Sequence, residues 1–316
     1  MQVLTDPVVT RVLIGLALAL AAATAIGRRL RGRARTAERR AAAENLNARV
    51  DAWWVMCGVV LAAIVAGPIG SVALFALLSF LALREFVTLT PTDRADHRLL
   101  LLVFFVAVPL QYALVATGWY GLFVVLIPVA GFLLVSSAGA LTGVTDRFVE
   151  RIGQIQWGLI LCVYALSHVP ALLMLEIPGY AGQNAKLLLF LLIVVESSDV
   201  LQYMWGKLCG VRPIAPRVSP GKTIEGFAGG VACATLLGAA LFQLTPFGPF
   251  QAAALSLAVT VVGFAGGLVM SAIKRDRGVK DFGTAIAGHG GILDRVDSLC
   301  FAGPVFFHVT RYFFAV

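Results

Sequence analysis

Charge is scarce in this chain. Only 13% of its 316 residues are charged and 59% are hydrophobic; a soluble domain has about 25% charged and about 45–50% apolar residues. No fold facing water on all sides can be built from that mixture, so a soluble globular protein is excluded. Cysteine is sparse as well. Cys57, Cys162, Cys209, Cys233 and Cys300 fall in or beside apolar runs without paired spacing. That excludes a disulfide framework and a thiolate metal site, and leaves small buried apolar residues. A complete Walker A loop is missing too. Gly221, Lys222 and Thr223 match its end, but Pro216 stands where its first glycine belongs and no strand is expected before it. The basic residues that open a signal peptide are also lacking, since the arginines follow the first apolar run, which therefore reads as a retained span.

What the chain does have is apolar runs of membrane length. A helix needs about 20 residues to cross about 30 Å of hydrocarbon. The runs predict ten spans: 8–26, 53–67, 69–84, 99–117, 119–137, 155–176, 186–206, 226–245, 249–271 and 298–316. The second and third are short and share the hinge 67–70, so a re-entrant pair is the alternative, giving nine or ten crossings. The expected fold class is all-α, a polytopic integral membrane protein.

The formal charge of +8 is placed by this topology. Alternating the spans puts 22 of the 25 Lys and Arg residues on one side, in 27–52, 84–98, 138–154, 207–225 and 272–297. The positive-inside rule makes that side cytoplasmic and puts both termini outside. Nucleic acid is therefore not an expected partner, whereas membrane lipids are. Three regions follow: residues 1–52, a first span with a basic linker at 28–49 that reads as a topology determinant; 53–185, scaffold spans; and 186–316, where polar groups enter the helices.

Those polar groups form two constellations. Charge at membrane depth is expensive and usually functional. In 196–226, Glu196 and Asp199 share a helical face, and Ser219, Lys222 and Thr223 precede a helix start that suits phosphate. In 271–297, Lys274, Arg275, Arg277 and Lys280 cluster before Asp281, His289, Asp294 and Asp297. Asp294 and Asp297 stand three apart, a spacing that suits Mg²⁺, which takes a few carboxylates plus substrate phosphates. The basic cluster suits polyphosphate. Gly288, Gly290 and Gly291 would let backbone amides approach an anion. His168 and His308 read as hydrogen-bonded core groups, His97 as solvated, and Arg84 with Glu85 as an interfacial pair. A pentapeptide recurs at 226–230 and 263–267 (Gly-Phe-Ala-Gly-Gly) and reads as a close-packing stripe.

Ser271, Lys274, Arg275, Lys280, Asp281, Gly283, His289, Gly290, Gly291, Asp294, Arg295 and Asp297 together resemble the signature of the phosphatidate cytidylyltransferase family, and Asp199 with Tyr203 and 219–226 resemble its upstream elements. Ala287, Gln202 and Gly221 depart from it, as in a divergent paralogue. The resemblance implies the reaction of CTP with phosphatidate to give CDP-diacylglycerol and pyrophosphate, in a bacterial inner membrane with the site facing the cytoplasm. It implies catalytic roles for Lys280, Asp281, His289, Asp294 and Arg295. Ser219, Lys222, Thr223, Lys274, Arg275, Tyr203, Gly290 and Gly291 would bind substrate. Asp199, Asp281, Asp294 and Asp297 would hold one or two Mg²⁺ ions, with room for a monovalent ion. A homodimer is compatible with it. The rival readings are a cytidylyltransferase or CTP-dependent kinase acting on another lipid, and an ion-coupled secondary transporter using Glu196 and Asp199.

Overall fold

The computed structural model describes residues 5–286, 288 and 290–316. Among these, the chain forms ten long helices and one small two-stranded ribbon: α1 Pro7–Arg33, α2 Ala37–Val65, α3 Gly67–Thr88, α4 Arg94–Thr117, α5 Tyr120–Leu141, α6 Phe148–Met174, α7 Asn184–Cys209, β1 Pro213–Ala215, β2 Ser219–Thr223, α8 Ile224–Ala240, α9 Pro249–Asp276 and α10 Leu293–Phe314. Eight of them, α1 to α7 and α9, are long and apolar enough to cross a membrane. The shorter α8 and the C-terminal α10, whose first turns carry charge, complete the bundle. The protein is an all-α polytopic membrane protein.

The second and third spans are each long and apolar enough for a full crossing. α2 has 29 residues and α3 has 22, about 43 and 33 Å at 1.5 Å per residue. The polar stretch 28–49 forms the adjoining ends of two helices rather than a separate linker, since only residues 34–36 interrupt α1 and α2. Caps explain the break: Thr36 Oγ1 accepts the amide of Arg39 at 3.3 Å. Asp6 likewise caps α1 by accepting from Val8 N at 2.8 Å and Val9 N at 3.2 Å, and its carboxylate also pairs with Lys186 at the start of α7. Pro109 and Pro128 lack the amide that a regular turn needs; a π-helical turn at Val103–Ala107 ends two residues before the first, and one at Leu126–Gly131 contains the second.

α6 is the most enclosed helix and α1 faces outward along nearly its whole length. With lipid as solvent, apolar side chains gain little from burial, and close approach of backbones matters more. The recurring pentapeptide does this. A Cβ on Gly226 would lie 2.8 Å from the carbonyl oxygen of Gln202, so α8 meets α7 backbone to backbone. In the second copy, a Cβ on Gly266 would lie 2.9 Å from the carbonyl oxygen of Asp297, so α9 meets α10 the same way. The two copies touch through Phe227 and Phe264, whose ring centroids are 4.5 Å apart.

One end of the bundle is fastened by a buried ion pair. Arg151 on α6 donates to Asp96 on α4 through Nε at 3.0 Å and Nη2 at 3.1 Å, and to the Asp146 carbonyl at 2.8 Å. This clip joins 85–98 to 138–154, two of the basic-side connections. The candidate site lies at this same end, where α9 gives way to α10 and α7 to α8.

Candidate active site

The site starts with the loop from α9 to α10. Its anchor is Asp294 in the first turn of α10, which is buried. One oxygen accepts Lys274 Nζ at 2.7 Å; the other accepts the amides of Phe282 at 2.8 Å and Gly291 at 2.9 Å. Both Asp294 oxygens are therefore occupied, and the loop is wrapped around a lysine–carboxylate pair. Gly290 adopts φ +83°, and a Cβ there would also fall 2.8 Å from Asp294 Oδ2, so glycine is required on both counts.

A second carboxylate secures the same turn from far away in sequence. Glu85, near the end of α3, accepts Ile292 N through Oε1 and Leu293 N through Oε2, both at 2.9 Å. These are amides that a helix start leaves without an internal partner, so Glu85 caps α10 in trans. Gly283 and Gly291 leave it room: a Cβ on Gly283 would lie 2.7 Å from Oε1, and one on Gly291 would strike the carboxylate.

One helical turn further along α10, Ser298 stands between two more carboxylates. Its hydroxyl donates to Asp199 Oδ2 of α7 at 2.7 Å, and its amide donates to Asp297 Oδ1 at 2.8 Å. Lys222 enters from β2. Its ammonium lies 4.8 Å from the Phe264 ring centroid and over Gly267, where a Cβ would come within 2.5 Å of Nζ. Burial pulls the Lys222 pKa below the usual lysine range, and the nearby Asp199 and Asp297 charges oppose that shift. Arg295 is within electrostatic reach of both carboxylates, and its Nε is buried with no partner among the described residues.

The ribbon holds Lys222 in place. β1 and β2 pair antiparallel, Pro213 opposite Thr223 and Ala215 opposite Ser219. Glu225 closes its open end by accepting Val211 N at 3.0 Å, Arg212 N at 3.1 Å and Arg212 Nε at 2.9 Å. Arg275 ties its turn to α9 through the Val218 carbonyl at 3.2 Å. A strand at 219–223 was not expected from the sequence. It is nevertheless no P-loop, since Lys222 and Thr223 lie within the strand rather than after it, and the pairing is antiparallel.

Several expected roles change in this setting. Thr223 Oγ1 is used as the N-cap of α8, accepting Gly226 N at 3.1 Å. It sits in a glycine cradle, where a Cβ on Gly210 would come within 2.7 Å. The amide of Gly291, expected to face an anion, is spent on Asp294. Tyr203 is 61% exposed and lies beneath the Lys207 ammonium, 5.8 Å from its ring centroid, outside the carboxylate group. Lys280 and Asp281 are exposed on the loop, with Asp281 beside Gly290. Ser219 is half-buried in β2. His289 and Ala287 lie outside the described residues. Glu85 was read from the sequence only as an interfacial pair with Arg84, whereas its carboxylate takes the α10 amides, and Ser298 was not singled out, because a serine in a helix carries no local signal.

The donor set fits a divalent cation of the Mg²⁺ type. Among the described residues no group of three His, Cys, Asp or Glu side chains is close enough to hold a metal. Mg²⁺ does not require that, since it commonly takes one or two carboxylates and completes its shell with water and phosphate oxygens. Asp199 and Asp297 each keep one oxygen without a hydrogen-bond donor among the described residues. Asp294, the other expected ligand on α10, already accepts Lys274 on one oxygen and two amides on the other.

Comparison with known proteins gives two results. The model of the "Cytidylyltransferase family" matches residues 47–313. Among curated proteins, an "Uncharacterized protein YnbB" of Escherichia coli (strain K12) is 44% identical over 270 residues, covering 84% of this chain and 87% of that protein. A phosphatidate cytidylyltransferase of Aquifex aeolicus is 40% identical over 143 residues, 45% of this chain and 54% of that enzyme. One of Bacillus subtilis is 39% identical over 142 residues, 44% of this chain and 52% of that enzyme. The chain thus spans about half the length of the two named enzymes.

Proposed function

Because the chain belongs to the cytidylyltransferase family, we propose that it transfers the cytidylyl group of CTP to phosphatidate, forming CDP-diacylglycerol and releasing pyrophosphate. The observation that carries this reading is the half-buried Lys222 within electrostatic reach of Asp199 and Asp297, which Ser298 brings together, beside the basic α9–α10 loop. A phosphate monoester oxygen of the lipid attacks the α-phosphorus of CTP. The bond from that phosphorus to the bridging oxygen of the β-phosphate breaks, and pyrophosphate departs with the electron pair. Both reactants are polyanions, so positioning and charge neutralisation dominate. No nucleophilic side chain is needed.

Lys222, Arg295 and the exposed Arg275 and Lys280 neutralise and hold the triphosphate, and Lys274 is held ready by Asp294. Asp199 and Asp297 would hold a divalent ion, with Asp281 at the loop edge; bound there, such an ion would screen the phosphate charges. The site faces the cytoplasm of a bacterial inner membrane in this reading, since the connections around it carry 22 of the 25 basic residues.

The test is turnover by the purified protein with labelled CTP, phosphatidate and Mg²⁺, following both products. Equal CDP-diacylglycerol and pyrophosphate, lost on chelation, is the expected result. CDP with a phosphorylated lipid would make it a kinase. A second reading, transfer to another lipid phosphate, is favoured by Gln202. Its side chain donates to Ser198 Oγ at 2.7 Å, and α8 packs on its backbone at Gly230, one turn from Asp199. A panel of lipid phosphates in the same assay separates the two.

Lys222 also predicts a pH dependence. Its charge is complete below the folded pKa and disappears as pH rises through it, and that pKa lies below the usual lysine range. The alkaline limb of kcat/KM is therefore expected below about pH 10.4, the ordinary lysine value. In Lys222→Arg the limb should move up or vanish, since arginine stays protonated. A limb that stays in place in that variant belongs to another group.

A further inference from the structure

Glu85 lies in α3, in the half of the chain that otherwise reads as scaffold. We infer that it is a positioning residue for the transfer reaction, setting the direction of the first turn of α10. This rests on the functional reading above.

Three observations converge on Glu85. Each of its oxygens takes one amide of the α10 start, Ile292 and Leu293, across 207 and 208 residues of sequence. Two loop glycines, Gly283 and Gly291, leave space that any side chain would close against this same carboxylate. The residues it orients are those of the site: Asp294 is one residue beyond Leu293, followed by Arg295, Asp297 and Ser298. A cap supplied by the helix's own first residues would fix the turn only relative to its own loop. A cap from α3 fixes it relative to the bundle.

The capped amides would otherwise be an anion site. A helix start with two open N–H groups attracts phosphate, and here it would compete with the lysines and arginines for the triphosphate. Glu85 fills that position with a side chain of the protein itself, and a carboxylate there suits the positive end of the helix dipole. Substrate phosphate is thereby left to the side chains that flank Asp199 and Asp297. Gln in place of Glu85 keeps size but presents one oxygen and one NH₂ group, so one of the two amides faces a donor.

The experiment compares Glu85→Gln and Glu85→Ala with wild type in the full-length, detergent-solubilised protein. It measures kcat, KM for CTP, melting temperature, and hydrogen exchange over 281–297. In Glu85→Gln, kcat should fall about 100-fold, the size of effect expected when reacting groups shift by about an ångström. KM for CTP should stay within about threefold of wild type, the pattern of a lost transition-state alignment. The melting temperature should stay close to wild type, exchange should quicken within 281–297 but not in α6, and Glu85→Ala should be the more severe. A purely structural role would give normal kcat per folded molecule, and that result overturns the proposal. Unchanged exchange over 281–297 overturns it too. If wild type makes no CDP-lipid from phosphatidate, the functional reading fails instead. Exchange then decides for Glu85: faster exchange confined to the α10 start supports its positioning role, and unchanged exchange sinks it.

Discussion

Asp297→Asn is expected to lower turnover by about 1000-fold, the upper range for removing one electrostatic contact to the transition state, while leaving the fold as stable as before or more so. Asp297 and Asp199 flank Ser298 as two half-buried carboxylates within electrostatic reach of each other. Like charges so placed repel. The amide variant keeps the size and the oxygen that accepts Ser298 N, and it relieves that repulsion. It also removes half of the negative charge that faces Lys222 and would hold a cation. Activity and stability therefore move in opposite directions, as at other sites that hold strained charge for function. A thermal melt beside the product assay checks both. A variant that melts well below wild type would show that Asp297 is a stabilising group and not a cation ligand.

Asp294→Asn should behave in the contrary way, losing stability and activity together. Its carboxylate is 2% exposed and its Lys274 partner 12%. Replacing one oxygen by an NH₂ group sets a donor against the ammonium and leaves that charge unpaired. Breaking a buried pair from one side costs about 3–5 kcal/mol. The amides of Phe282 and Gly291 lose strength at the remaining oxygen, so the whole α9–α10 loop loosens. A reduced melting temperature with faster proteolysis between α9 and α10 is the readout. Two aspartates three residues apart are thus separated by one pair of measurements. Stability retained in Asp294→Asn with activity gone would move Asp294 into the cation-binding role instead.

The reach of local spacing explains this split. Sequence spacing puts Asp294 and Asp297 on one helix, and both lie on α10. It could not say that one carboxylate points to Lys274 and the loop amides while the other points to Ser298. Helical periodicity fixes direction along a helix; it does not fix what lies opposite. The glycines around His289 show the same limit. Their presence announces a close approach, which occurs, but at Gly290 and Gly291 it is to the Asp294 and Glu85 carboxylates that the protein itself supplies, and at Gly288 to Arg49. Thr223 was legible as a residue before a helix, and the cap it makes is the ordinary use of such a position.

The sequence by itself determined the solvent, the helical class and the family. Each is set by quantities local to the chain: the length of apolar runs against the thickness of a bilayer, the side on which basic residues gather, and fixed residue types within a 27-residue stretch. The tertiary structure alone decided which polar groups are already satisfied. Glu85 reaches Ile292 and Leu293 across more than 200 residues, and the Lys222 ammonium sits over Gly267, where a side chain would collide with it, within electrostatic reach of Asp199 and Asp297. Such contacts depend on how helices pack, and at membrane depth an amide or carboxylate without a partner is costly enough that packing settles which groups remain for substrate.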